Sequence, residues 1–190
     1  PKPLDSRVLL KVAPAVANAA INSGVARKGS PSQKGYVQAL EAMLGPEREI
    51  MRKIIIRAQQ DPRSIVLPEG SHPVILRAAH QVVRDGIARP WLLGNKQEIK
   101  LLSEELHISL EGIEILDPVE SPLFEQFSHK LFEMRARKGW SMDETRRQLR
   151  RRYVFGAMMV HEGIVDGQVH GIDRYYPDAI RPVLQVISKK

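Results

Sequence analysis

The stretch that decides the fold lies late in the 190-residue chain, where residues 165–171 read VDGQVHG and residues 176–185 read YPDAIRPVLQ. A short apolar run ends in a glycine turn, and the helix that follows has a proline near its start. Arg181 lies one turn inside this helix. Free backbone N–H groups and the positive end of the helix face such a turn. The segment therefore predicts a strand, a turn and a helix that together receive an anion.

The same alternation of short apolar runs and helical segments extends upstream. Strands are predicted over residues 64–68, 90–94, 113–116 and 166–170. Helices are predicted over about 73–85, 96–106, 122–138, 142–151 and 153–163, before the final one. This order predicts an α/β fold with a mostly parallel sheet and helices on both faces. Sites in such sheets lie at the carboxyl ends of the strands, near a switch in strand order.

The N-terminal third is predicted to be helical and separate. Residues 7–23 form a predicted helix, in which Pro14 starts a new first turn and Gly24 ends the helix. A Lys-, Gly-, Ser- and Pro-rich linker follows over residues 27–35, and residues 36–60 form one or two helices broken at Gly45-Pro46. We therefore divide the chain into residues 1–28 (linker helix or end of a preceding domain), 29–60 (helical connector) and 61–190 (the α/β part).

The composition narrows the possible classes. An apolar content of 43% is enough for a core, and the absence of cysteine excludes disulfides, thiolate metal sites and a cysteine nucleophile. No apolar run approaches the roughly 20 residues of a membrane helix, and no leader is visible, so we expect a cytoplasmic protein without membrane contact. The six histidines lack paired ligand spacing, and we predict no metal site. Neither G-x-G-x-x-G nor a P-loop motif is present.

The net charge of +7 is concentrated in one segment. Residues 130–152 hold nine Lys or Arg against three acidic residues. This favours one anion-facing surface, although a solvated helix face would explain it equally. A nucleotide phosphate, an acidic partner or nucleic acid would each fit the five arginines of residues 146–152. The scarcity of aromatic residues, 5% of the chain, argues against nucleic acid.

Two further positions are candidates for binding a ligand. Glu69 and Gly70 directly follow the first predicted strand, where they place a carboxylate and flexible backbone at the active edge or simply form a βα turn. Arg135 lies near the end of its predicted helix. There it either stabilises the helix C-terminus or binds a phosphate, which suits its planar guanidinium.

In order along the chain, these segments resemble the phosphotransacetylase family. The matching blocks are IVLPEG (65–70), GIARPWLLG (86–94), EMRARKG (133–139), FGAMMV (155–160) and residues 166–185. The N-terminal segment, PKPLDSRV through residue 26, resembles the junction in bacterial hybrid malic enzymes. In those proteins a malic enzyme domain precedes a phosphotransacetylase-like domain.

The resemblance implies a function for the parent protein. It implies oxidative decarboxylation of malate to pyruvate with NADP and Mg or Mn, and a phosphotransacetylase-like part that binds acetyl-CoA or an acyl phosphate-like molecule as regulator. We expect the present chain to bind no cofactor itself, to be an incomplete first part of the domain, to be inactive alone, and to form homo-oligomers through its uncovered surface. The alternative is a fragment of a phosphate acetyltransferase, which forms acetyl phosphate and CoA from acetyl-CoA and phosphate.

The resemblance also assigns site residues. Arg135 and Arg181 match the two arginines that the family uses around the acyl phosphate and phosphate. The chain departs from the family at Tyr175 and Tyr176, where small hydroxyl residues are typical, so that two rings are expected to crowd the acyl-phosphate pocket. The resemblance also implies that the catalytic set is not complete in this chain. The predicted ligand- and phosphate-binding residues are Arg135, Arg181, Gly171, Tyr175, Tyr176, Glu69 and Gly70.

Overall fold

The computed structural model describes residues 6–26, 33–42, 46–172 and 175–187. The chain divides into two compact units, Pro1–Arg57 and Ala58–Lys190. Most of the predicted linker, residues 27–32, and the predicted break at Gly45 lie outside the described residues. The predicted domain boundaries within the first unit therefore stay predictions.

The described part of the first unit is helical. Its elements are α1 (Ser6–Asn22), α2 (Gln33–Ala42) and the larger part of α3 (Pro46–Gln60). Pro14 lies buried inside α1, which continues through it, so the predicted new first turn is wrong. Gly24 ends this helix as predicted: its φ is +74°, and the amides of Val25 and Ala26 both donate to the carbonyl of Ala20 at 3.1 Å.

The second unit alternates strands and helices, as the sequence predicts. Its strands are β1 (Arg63–Leu67), β2 (Ala88–Leu93), β3 (Glu114–Leu116) and β4 (Gly167–Gln168). Its helices are α4 (Pro73–Arg84), α5 (Lys96–Glu105), α6 (Leu123–Arg135), α7 (Met142–Leu149), α8 (Arg152–His161) and α9 (Tyr176–Leu184), with a 3-10 turn (Ala136–Lys138) after α6.

The four described strands form a parallel sheet in the order β3-β2-β1-β4. Leu92 and Leu93 are adjacent on β2 and therefore point to opposite faces of the sheet. Leu92 is buried against side chains of α4 and α5, whereas Leu93 is buried with side chains of α6 and α8. The predicted α/β fold with helices on both faces is therefore confirmed.

The fourth strand is shorter than predicted, two residues instead of five. Its start is fixed by a side chain: the Asp166 carboxylate accepts the amide of Ser64 at 2.8 Å and lies 3.3 Å from Arg63. Beyond Gln168, the amide of Val169 still donates to Val66 at 3.1 Å before the chain turns away. The edge strand is thus held to β1 by side-chain as well as backbone bonds.

The bond from the Ser64 amide, and then the charge of Arg63, holds the pKa of the Asp166 carboxyl below its ordinary value of 3.8. A lowered pKa adds stability that is present above pH 3.8 and is lost as the pH falls through the folded-state pKa. We therefore expect Asp166→Asn to lower the urea midpoint at pH 7, and to differ less from the parent chain at pH 3. Asp61→Asn is the control, because Asp61 is an exposed partner of Arg63 at 2.6 Å. An equal loss in both variants would contradict the role of the Ser64 amide.

Candidate functional site

The strand order brings two loops together at the carboxyl ends of the strands. β2 and β3 lie on one side of β1, and β4 lies on the other. The order therefore switches direction between β1 and β4, and the crevice beyond their carboxyl ends is the usual ligand position in such a sheet. Residues 68–72 follow β1 at this point, and residues 169–172 follow β4.

Glu69 joins these two loops to the start of α8. Its carboxylate accepts the Tyr153 hydroxyl at 3.0 Å, the Gly171 amide at 3.1 Å and the Ile172 amide at 3.1 Å. The residue is only 9% exposed. Hydrogen bonds from several donors compensate the burial of this carboxylate. The carboxylate is therefore used to position the loops, and its role in ligand binding stays a prediction.

Gly70 and Gly171 are both positions where backbone geometry matters. A Cβ atom on Gly70 would lie 2.8 Å from the Leu93 carbonyl oxygen and 2.9 Å from the Cβ of Leu92, which is closer than packed atoms approach. Gly171 has φ +111°, a conformation that side chains rarely adopt. Close packing therefore explains the glycine at position 70, and the positive φ explains the one at position 171. Their contact with a ligand stays a prediction.

A cavity of about 830 Å³ opens beside Glu69. Its walls come from the loop after β1, the start of α8 and one face of α9. The lining residues are Pro68, Glu69, Ser71, His72, Arg151, Arg152, Tyr153, Asp178, Arg181, Pro182 and Gln185. Asp178, Arg181 and Pro182 of α9 and Gln185, the residue directly after it, have the spacing i, i+3, i+4 and i+7, so they form a single stripe along the helix and its C-cap.

The cationic residues of the cavity differ in their surroundings. Arg152 lies 3.5 Å from the Ser71 hydroxyl and 3.9 Å from the Glu98 carboxylate, which also accepts the Ser71 hydroxyl at 2.8 Å. Arg151 and Arg181 are exposed, and neither forms an ion pair with another residue in the described ranges. These two guanidinium groups are available to an anionic ligand.

Arg135 is engaged elsewhere. Its Nε donates to the Gln185 carbonyl, and its Nη2 donates to the same carbonyl and to that of Leu184 at 3.2 Å. The guanidinium carbon also lies 6.0 Å from the ring centre of Trp140. Arg135 thus stabilises the C-terminal end of α9, a different helix from its own. The predicted phosphate contact stays a prediction for this residue.

The two tyrosines do not crowd the large cavity. Tyr175 is 86% exposed and Tyr176 is 76% exposed, and neither lines that cavity. Tyr176 instead borders a smaller cavity of about 370 Å³ with residues 168–171. Tyr176 is the first residue of α9 and lies two residues before Asp178, so helical spacing places it on the side of the helix opposite the Arg181 stripe.

His170 is a site residue that the sequence patterns did not single out. Its ring packs edge-on against Tyr153, with the ring centres 5.1 Å apart. Burial lowers the pKa of His170 below its ordinary value of 6.5, and the Glu69 carboxylate acts in the opposite direction. The ring is therefore neutral at pH 7, and its buried Nδ1 has no hydrogen-bond partner among the described residues.

The basic segment before α8 is partly neutralised within the domain. Arg146 pairs with Glu125 at 2.8 Å, and Arg147 pairs with Glu144. Both pairs have exposed arginines and add little stability. Of the arginines in residues 146–152, only Arg151 and Arg152 line the large cavity. Most of the segment is therefore a solvated helix face, and its last two arginines border the cavity; an anion-binding role for them stays a prediction.

The sequence patterns did not separate Arg151 from the other arginines of residues 146–152, and they did not single out Asp178 or Gln185. The signal for the last two was present, because their spacing around Arg181 places all three on one helix face. Charge alone gave no reason to prefer Arg151 over the arginines next to it. Taken together, the described residues define an α/β domain with a parallel sheet and a cavity at its switch point that is lined in part by arginines.

Comparison with known proteins identifies the family of this domain. The family model of the phosphate acetyl/butaryl transferases matches residues 49–190. The chain is 38% identical over 139 residues to a phosphate acetyltransferase of Thermoanaerobacterium thermosaccharolyticum, which covers 73% of this chain and 42% of that protein. It is 31% identical over 193 residues to an NADP-dependent malic enzyme of Rhizobium meliloti, which covers 100% of this chain and 25% of that protein.

A solved structure agrees with the sequence relatives. The EutD phosphotransacetylase from Staphylococcus aureus aligns with a TM-score of 0.66 at 29% identity, over 74% of this chain and 43% of that one. The chain belongs to the phosphate acetyl/butaryl transferase family, and the predicted resemblance is confirmed. It spans about two fifths of the phosphate acetyltransferase and a quarter of the malic enzyme.

We expect Glu69→Gln to lower the free energy of unfolding by about 2 kcal/mol, because the charge that strengthens the three hydrogen bonds is lost and an amide NH₂ would replace Oε2, which accepts the Gly171 amide. Urea unfolding at pH 7 measures the change. Tyr153→Phe, which removes one donor and leaves the two amides, is expected to cost about 1 kcal/mol. Equal losses in the two variants would show that the amides of residues 171 and 172 contribute nothing.

Gly70→Ala is expected to destabilise the domain by about 2 kcal/mol, because the new methyl group meets backbone and Cβ atoms that cannot move independently. Gly167→Ala is the matched control. Its Cβ would lie 3.3 Å from the flexible end of Ile65, and we expect a cost below about 1 kcal/mol. Thermal or urea unfolding measures the stability of the two variants. An unchanged stability of Gly70→Ala would contradict the close packing of the loop after β1.

Proposed function

We propose that this chain is the phosphotransacetylase-like part of a hybrid NADP-dependent malic enzyme, in which it binds an acetyl-CoA-like or acyl phosphate-like ligand as a regulator. The observation that carries the proposal is the cavity at the switch point, where Arg151 and Arg181 face the same space without an ion pair to described residues. Arginine suits phosphate groups because its planar donors fit their oxygens.

The extent of the matches supports a malic enzyme parent. The malic enzymes of Rhizobium meliloti and Salmonella typhimurium align with 100% and 90% of this chain. The phosphate acetyltransferase of Thermoanaerobacterium thermosaccharolyticum aligns with 73%. The family model itself begins at residue 49. Most of the N-terminal helical unit therefore lies outside the family model and inside the malic enzyme alignments.

The hydrogen bonds of the cavity support binding rather than turnover. Transfer of an acyl group to a thiol needs a base for the thiol proton and donors for the developing oxyanion. The Glu69 carboxylate already accepts bonds from Tyr153 and two backbone amides, which leaves it poorly placed as a base. A ligand held between α8 and α9 would instead neutralise repelling arginines and link the two helices, which is a means of regulation.

NADP and Mg or Mn are proposed for the parent protein and not for this domain. The described residues offer no cluster of three or more His, Asp or Glu side chains that could hold a metal ion. The chain also lacks the G-x-G-x-x-G pattern of a dinucleotide site. That this chain binds neither group stays a prediction, and no step of the proposal passes through them. A cytoplasmic location and a homo-oligomeric state likewise stay predictions.

No helix in the described part of the chain has the length and apolar character needed to cross a membrane.

A working phosphate acetyltransferase is the second candidate. The observation in its favour is the higher identity of 38% to a phosphate acetyltransferase, compared with 31% to the malic enzyme. The parent polypeptide separates the two candidates when it is assayed for acetyl-CoA formation from acetyl phosphate and CoA, and for malate oxidation with NADP. Transacetylase turnover without malate oxidation would reverse the assignment.

We expect Arg181→Ala to weaken acetyl-CoA binding to this chain by about tenfold or more, because a charge-assisted bond to phosphate is lost. Calorimetric titration measures the affinity, and malate oxidation by the parent polypeptide should lose its acetyl-CoA sensitivity in the same variant. Arg77→Ala is the matched control, because Arg77 is exposed on α4 and does not line the cavity. Unchanged binding in Arg181→Ala would refute the assignment of the site.

A further inference from the structure

His170 lies at the point where the chain turns away from the sheet. On its N-terminal side, the Val169 amide donates to the Val66 carbonyl at 3.1 Å. On its C-terminal side, the Gly171 amide donates to the Glu69 carboxylate at 3.1 Å. Hydrogen bonds therefore fix both neighbours of His170, and one peptide unit links its ring to the contact that holds Glu69.

The His170 ring is held in place by packing. It meets the Tyr153 ring edge-on, with the ring centres 5.1 Å apart and the planes at 69°. The Nδ1 atom of His170 is buried and has no hydrogen-bond partner among the described residues. The Tyr153 hydroxyl donates in turn to Glu69 at 3.0 Å. The ring therefore packs against a side chain that shares its acceptor with the Gly171 amide.

Protonation changes what this ring requires. In a neutral imidazole only one ring nitrogen carries a proton, so a buried Nδ1 atom can remain bare. An imidazolium carries a proton on both nitrogens, and its Nδ1–H would be a buried donor without an acceptor. Burial lowers the pKa of His170 below 6.5, and the opposing charge of Glu69 does not outweigh it. The packed position therefore favours the neutral ring, and the protonated ring favours water.

The titratable side chains that face the ring in the described part of the chain come from three elements. Glu69 belongs to the loop after β1 and Tyr153 to the first turn of α8. Tyr176 belongs to the first turn of α9 and borders the same small cavity as His170. The other titratable or charged side chains of these elements that border a cavity line the large one and not the small one: His72, Arg151, Arg152, Asp178 and Arg181. Glu69 thus acts on the ring through its charge and not through a hydrogen bond to Nδ1.

We infer that His170 makes the turn after β4 sensitive to protons. Its neutral ring packs against Tyr153 and holds the turn in place. The protonated ring leaves this position, and the contacts of Gly171 and Ile172 with Glu69 loosen. Because Glu69 lines the large cavity, acidification loosens one wall of the site. His170 is a positioning residue, since it acts through the turn. The inference goes beyond the proposed function, because it concerns the turn itself and holds for any ligand of the cavity.

The direction of the effect follows from the burial of the ring. The folded chain binds this proton less readily than the unfolded chain, in which the histidine has its ordinary pKa of 6.5. Stability therefore rises with pH in the window between the folded-state pKa of His170 and 6.5. Above this window His170 contributes no pH dependence, and within it a fall in pH weakens the turn.

Two NMR measurements on the whole chain test the inference. The first follows the resonances of the His170 ring from about pH 7.5 to about pH 5. The second measures hydrogen-exchange protection factors of the Gly171 and Ile172 amides at about pH 7.5 and about pH 5.5, because protection factors correct for the intrinsic effect of pH on exchange. The Gly94 amide is the internal reference, since it donates to the Leu116 carbonyl at 3.1 Å in another loop of the same sheet.

Three variants separate His170 from other titrating groups. His170→Phe keeps a ring for packing but takes up no proton, and His170→Gln keeps a polar side chain that takes up none either. His129→Phe is the matched control, because His129 is exposed on α6 and lines neither cavity. Circular dichroism verifies that each variant is folded. The titration of the unchanged chain needs no variant and tests the inference independently.

We expect the His170 ring to titrate with a midpoint below 6.5. Protection of the Gly171 and Ile172 amides should fall by about threefold or more between the two pH values, and that of Gly94 by less than about twofold. His170→Phe and His170→Gln should remove the pH dependence at both turn amides, and His129→Phe should retain it. These results together would support the inference.

Four results would overturn it. Unchanged protection of the Gly171 and Ile172 amides at the lower pH would show that the turn does not respond to protons. An equal loss in His170→Phe would assign the response to another titrating group, Glu69 included. An equal loss at Gly94 would show general destabilisation by acid and no local step. A titration midpoint at or above 6.5 would show that the packed position does not favour the neutral ring.

Discussion

The hydrogen bonds of the Glu69 carboxylate determine how the candidate site is assembled. This side chain connects the loop after β1, the turn after β4 and the first turn of α8, three segments that are distant in sequence. A buried carboxylate is stable only when donors surround it, so the three segments must all be in place at once. The cavity beside Glu69 exists because these segments meet there, and two of the arginines that line it form no ion pair with a described residue.

The position of α9 depends on a second long-range contact. Arg135, at the end of α6, donates to the last carbonyl groups of α9 and so replaces partners that the helix lacks at its end. This contact orients the stripe that carries Arg181 toward the cavity. The family resemblance assigns Arg135 to phosphate. In this structure its guanidinium contacts the C-terminal end of α9 and does not line the large cavity. A positive charge is stabilised both beside the carbonyl groups of a helix C-terminus and beside a bound anion. The sequence alone therefore did not decide which of these two roles Arg135 has.

The sequence predicted the fold well, whereas the ligand-binding roles of the site residues stay predictions. Apolar periodicity located all four described strands and the helices between them within a few residues, because burial on a parallel sheet imposes that pattern. The candidate Arg181 does line the cavity. The partners of Glu69 could not be predicted, because they lie 84 to 103 residues further along the chain. The exposure of Tyr175 and Tyr176 also depends on the exact start of α9, and element boundaries are the least certain part of a sequence-based prediction.

The two-residue pairing of β4 with β1 has a consequence for when the cavity forms during folding. The contacts between β1 and β4, together with those between Glu69 and the turn after β4, close a loop of about one hundred residues, which is slow compared with forming the local helices. During synthesis, the earlier strands and helices can assemble while the cavity still lacks its final wall. A ligand that recognises both walls selects only molecules that have completed this late step. If the proposed ligand binds there, its occupancy favours the fully folded population by mass action.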